Sequence, residues 1–118
     1  MTTDQTSGAT AGDSRAVSAF IEKLRGSYDV SQMIMFGSRV HGKNSPDSDL
    51  DLALVLNGKR GALIDTKLDM AGLAFDVLME TGVLVQAFPM WEDDLAHPEK
   101  FANPALIRTI AREGIRLG

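Results

Sequence analysis

Residues 33–56 read MIMFGSRVHGKNSPDSDLDLALVL, and this stretch decides the fold. Met33 to Phe36 is an apolar run that ends at Gly37-Ser38. A short polar segment follows, broken by Gly42, Asn44 and Pro46, and a second apolar run then opens on Asp49 and Asp51. The pattern predicts a strand, a turn, a short helix starting at Ser38, a loop and a second strand. Successive side chains of a strand leave opposite faces. Asp49 and Asp51 therefore share one face, roughly 6–7 Å apart at a rise of about 3.3 Å per residue. Leu50, Leu52, Leu54 and Leu56 share the other face and point into a core. Aspartate is poorly suited to strands, so two of them opening an apolar run need a reason. Two carboxylates at that separation can bracket a divalent cation. Backbone N–H groups after Gly37, at a helix N-terminus, can hold a phosphate. A phosphate cradle facing a carboxylate metal site is the layout that metal-assisted phosphoryl or nucleotidyl transfer uses.

Working outward, each polar residue has a second reading. Ser38 caps a helix, which stabilises by roughly 1 kcal/mol, and its hydroxyl and neighbouring N–H groups can also receive phosphates; the two roles are compatible. Arg39 either neutralises a leaving pyrophosphate or is simply exposed. Asp47 reads as a turn residue. His41 and His97 are the only histidines and do not have the spacing of a zinc site. Phe88 and Trp91 either stack on a base or pack at the rim.

Composition bounds the rest. The 118 residues make one domain with room for a real core. Zero cysteines exclude disulfides, thiolate metal sites and a cysteine nucleophile, and suit a cytoplasmic protein. No apolar run approaches the roughly 20 residues of a membrane span. The first residues, MTTDQTSGATAGDS, lack the basic and apolar regions of a secretory signal. The net charge of −4, with scattered lysines and arginines, disfavours long DNA or RNA. A mononucleotide whose charge is met by a metal is not disfavoured.

In chain order, residues 1–12 read as a disordered tail and 13–118 as the domain. A helix runs from Asp13 or Ser14 to about Arg25, with Val17, Phe20, Ile21 and Leu24 on one face. After the two strands comes a long helix to about Thr81, with Ile64, Leu68, Ala71, Phe75 and Leu78 as the expected buried stripe, widened by Leu73, Ala74 and Val77. Asp65, Asp69, Asp76 and Glu80 form an opposing row, read as a solvated face. Val83 to Met90 reads as a third strand, Trp91 to Leu95 as entry to a short helix, and Asn103-Pro104 as the start of a last helix ending at Gly114. This order implies an α/β (α+β) fold: a small mixed β-sheet with helices packed mainly on one face.

Gly37-Ser38, ten intervening residues, then Asp49-Leu50-Asp51 resembles the signature of the DNA polymerase beta-like nucleotidyltransferase superfamily. The element order matches over about residues 14–118, but the specific residues are confined to 37–51. The resemblance implies that fold and an enzyme, a transferase. In it the Gly37-Ser38 pair, with Arg39, would hold the triphosphate of ATP. Asp49 and Asp51 would bind magnesium as catalytic residues. A nucleoside monophosphate would pass to an acceptor hydroxyl with release of pyrophosphate. The short chain is similar to minimal nucleotidyltransferases of bacteria and archaea. Antitoxin-like members of that group bind a small helical HEPN-type partner protein, so the resemblance also implies a partner-binding module as the alternative. Transfer to a small drug ranks below both, because the chain leaves little room for a drug pocket. The third strand, apolar on both faces, adds an expectation of a homodimer or a hetero-complex. One departure stands out. The family generally carries a third carboxylate on the strand after the long helix, and the polar position of that strand here is Gln86.

Overall fold

The computed structural model describes residues 11–37 and 49–117. Ser38, Arg39, the expected motif helix and the expected tail up to residue 10 lie outside the described residues. Helix α1 (Ala11–Leu24) places Ala16, Phe20 and Leu24 inward at a four-residue spacing, each 1% exposed or less. Strand β1 (Val30–Phe36) pairs antiparallel with β2 (Leu50–Leu56). Helix α2 (Leu63–Thr81) then crosses over to β3 (Val85–Trp91), which lies parallel to β2. A parallel neighbour needs such a crossover, because a tight turn joins only antiparallel strands. A short helix α3 (Glu92–Ala96), a single 3₁₀ turn (Pro98–Lys100) and helix α4 (Pro104–Glu113) follow. Asn103 caps α4 by accepting a hydrogen bond from the Leu106 N–H, with Pro104 at the first helical position, as the sequence indicates. A strand the sequence reading lacked, β4 (Ile115–Leu117), pairs antiparallel with β1.

The sheet order is β3-β2-β1-β4. Leu50, Leu52, Leu54 and Leu56 face α1 and α2, packed with Phe20, Met33, Met35, Val85 and Trp91. Ala53 and Val55 face the other way, toward Phe36, Met90, Ile107 and Ile110. The two long helices thus cover one face and α4 the other. Both faces of β3 are closed by the chain's own helices, so its two apolar faces require no second molecule. Among the described residues, no helix is long and apolar enough to cross a membrane.

The buried stripe of α2 differs from the expectation. Ala74 and Val77, from the expected flank, are buried together with Met70, whereas Ile64, Leu68, Ala71 and Phe75 from its centre are exposed. Two acids of the opposing row are tied toward α1 and the loop after it. Asp69 accepts a hydrogen bond from the Tyr28 hydroxyl, and Glu80 lies 2.5 Å from the Lys23 ammonium. These exposed ties accompany a rotation that is set by the burial of Met70, Ala74 and Val77 against the leucine face of the sheet.

Candidate functional site

The end of β1 and the start of β2 meet at one point. Phe36 is the register partner of Asp51, and the next residue, Gly37, turns with φ +83°. That left-handed conformation is costly for any residue with a Cβ. A Cβ built at Gly37 would fall on the Asp51 carboxylate, with the carboxyl carbon only 3.2 Å away. The absent side chain is therefore what lets the turn backbone lie against the acid. Asp51 is half-buried, and so is Asp49, one residue before the strand. Strand alternation carries both onto the α4 face, away from the leucines.

On the other side of Asp51 stands β3. The parallel register places Gln86 directly beside Asp51, and Phe88 beside Ala53. Registered neighbours in a sheet project from the same face, so an amide occupies the position next to the aspartate. Phe36 and Phe88 meet edge-to-face, with ring centroids 5.3 Å apart, and floor this corner. The Lys67 ammonium lies 5.3 Å from the Phe88 centroid, a cation over the ring at the sheet's edge. Phe88 is therefore engaged in packing, in line with the rim reading. Trp91 is 5% exposed in the core on the opposite face and is not placed to stack on a base.

The other acids near β3 in sequence are committed elsewhere. Asp94 is fully buried; its carboxylate pairs with Arg60 and accepts the Trp91 N–H at 2.9 Å. Glu92 accepts the Ser31 hydroxyl at 2.6 Å. Both sit at the end of the sheet where Trp91 pairs with Leu56, five residues from Asp51 and so about 17 Å along the strand. Asp76 and Glu80 belong to α2, on the far face of the sheet. Among the described residues, no set of three acids or histidines gathers. The sequence identifies Gly37, Asp49, Asp51 and Gln86. It does not identify Phe36 as the floor or Lys67 as the rim. Strand parity counted back from Asp51 across the pairing would place Phe36; Lys67 arrives from another layer and leaves no local signal.

The arrangement is two carboxylates, an adjoining amide and a glycine turn at one corner of a mixed sheet. Comparison with known proteins bears on the family and the fold. The family profile for the nucleotidyltransferase domain matches residues 17–117, nearly the whole chain. A crystal structure of a Sulfolobus solfataricus protein assigned as a nucleotidyltransferase superposes with a TM-score of 0.52 at 16% identity, covering 91% of this chain and 86% of that one. At that identity the likeness speaks for the fold. No curated protein matches the sequence. The profile spans helix, strand pair, crossover helix and the strands after it, residues 17–117, and the chain belongs to the nucleotidyltransferase domain family.

Proposed function

We propose that the domain binds ATP with magnesium at the corner where Gly37 meets Asp51, using Asp49 and Asp51 for the metal and Gly37 with the next residues in sequence, Ser38 and Arg39, for the phosphates, and that its chemistry is transfer of the nucleoside monophosphate to an acceptor hydroxyl. One observation supports this reading: the Gly37 backbone lies against the Asp51 carboxylate, so the turn that would receive the phosphates adjoins an acid that would hold the metal. The donor set fits a hard divalent cation, which prefers oxygen ligands and carboxylates above all. Asp49 and Asp51 would hold magnesium, which supplies charge neutralisation at the phosphates and lowers the acceptor's pKa. The backbone after Gly37 orients the phosphates, and Arg39 offsets the charge of the departing pyrophosphate. The acceptor oxygen bonds to the α-phosphorus as the bond to the bridging oxygen breaks. The hydroxyl proton must pass to a base.

Gln86, beside Asp51, supports a second reading of the same site. A neutral amide cannot take that proton, and it is a weaker ligand for a hard cation than a carboxylate. Nucleotide binding then outlasts efficient turnover, as in an antitoxin-like module. The test has two arms. In calorimetric titrations with magnesium present, Asp51→Asn is expected to weaken ATP binding about tenfold or more, the range for losing a charged contact, with thermal unfolding still cooperative. Unchanged binding overturns the site. With labelled ATP, the natural protein is expected to label acceptors in its host lysate near background and Gln86→Asp to raise the signal. Strong labelling by the natural protein would instead show that a base is supplied from elsewhere.

A further inference from the structure

Helix α2 carries two apolar faces, and only one is used inside the domain. Ile64, Leu68, Phe75 and Met79 are 66%, 66%, 56% and 70% exposed. Their separations of four, seven and four residues keep them in one line along the helix, with exposed Ala71 between Leu68 and Phe75. A continuous apolar line of this kind on a folded domain marks an interaction surface rather than chance exposure. One edge of the line is acidic: Asp65 and Asp76 fall on that side, exposed, beside Asp69, which accepts from Tyr28 and keeps its charge, and Glu80, which is paired with Lys23. The other edge carries Lys67, drawn toward Phe88. Gly72 sits beside the line in the middle of the helix, among the least favourable residues for that position. A Cβ there would meet nothing within 4 Å, so packing inside the domain does not require a glycine. Its absent side chain does allow another backbone to come close.

We propose that this line is a docking surface for an amphipathic helix of a second protein, one whose apolar stripe is edged by lysine or arginine. The acidic edge selects that chemistry, since opposite charges beside an apolar seam favour pairing and like charges oppose it. A second copy of the chain is a poor occupant. Antiparallel pairing of two α2 helices would bring one acidic row against the other.

The inference is independent of nucleotide binding, and its test is designed to show that. Two fluorescent helical peptides with the same leucine stripe are titrated against the full chain, one edged with lysine and arginine, the other with glutamate. The basic peptide is expected to bind at least tenfold more tightly and to weaken in high salt. Phe75→Glu should abolish binding, while Asp51→Asn should leave it unchanged. Gly72→Ala should raise the melting temperature yet weaken the peptide complex, a split that a purely structural glycine would not give. Equal binding of both peptides, no binding of either, or indifference to Phe75→Glu overturns the proposal. So does sedimentation showing a dimer of the chain that Phe75→Glu disperses, because the line would then belong to a second copy.

Discussion

Gly37 and Gly58 share a left-handed backbone, with φ of +83° and +92°, but only Gly37 has a neighbour where a Cβ would go. Alanine at either position costs about 1–2 kcal/mol for the dihedral. At Gly37 the methyl also collides with the Asp51 carboxylate. Gly37→Ala is therefore expected to lower the melting temperature more than Gly58→Ala and to lose ATP binding, which Gly58→Ala keeps. Matching binding curves for the two variants would show that the turn does not position the acid. At this scale the sequence was informative wherever a period of two was enough. The alternation of Asp51 with Leu50 and Leu52 separates site from core without any structure. The contact between Gly37 and Asp51 was not legible, because it joins residues fourteen apart through strand register. Gln86 lies between these cases: its position beside Asp51 follows from the order of elements once β3 is known to run parallel to β2.

At the scale of elements, α2 is where sequence reasoning centred the buried stripe on the wrong face and met the true one only at its edge, at Ala74 and Val77. A helix apolar on two sides gives periodicity no basis for choosing between them. The choice follows the core, which takes Met70, Ala74 and Val77, while Lys23 of α1 holds Glu80 and Tyr28, in the loop after α1, holds Asp69. The Tyr28 phenol reports this joint. Burial, then its hydrogen bond to Asp69, pushes its pKa up to about 12 from an ordinary value near 10. The folded state therefore favours the protonated phenol. The stabilisation it brings is complete below about pH 10 and is lost as the pH rises toward 12. Tyr28 is the only tyrosine, so phenolate absorbance follows it alone. Titration is expected near pH 12 in the native protein, with stability falling across that window. Tyr28→Phe should flatten the fall. A midpoint near 10 would show that the α1–α2 joint is open in solution.

For the whole molecule, the layers and the crossover were readable from the alternation of helix and strand patterns. Strand β4 was not, since three residues, Ile115 to Leu117, are too short to display a period. What the sequence could not convey is how the aspartates relate to cooperativity. Strand β2 has a hydrogen-bonded neighbour on each side, and every residue in it except Asp51 is buried. Its amides should exchange with solvent deuterium only when the entire sheet comes apart, the slowest class of opening. A ligand held by Asp51 must then slow exchange across Leu52–Val55 by the same factor as global unfolding, about 100-fold at a concentration 100 times Kd. If those amides ignore magnesium and ATP while calorimetry records binding, β2 opens locally. Otherwise deuterium uptake on this one strand is enough to weigh any nucleotide offered to the protein.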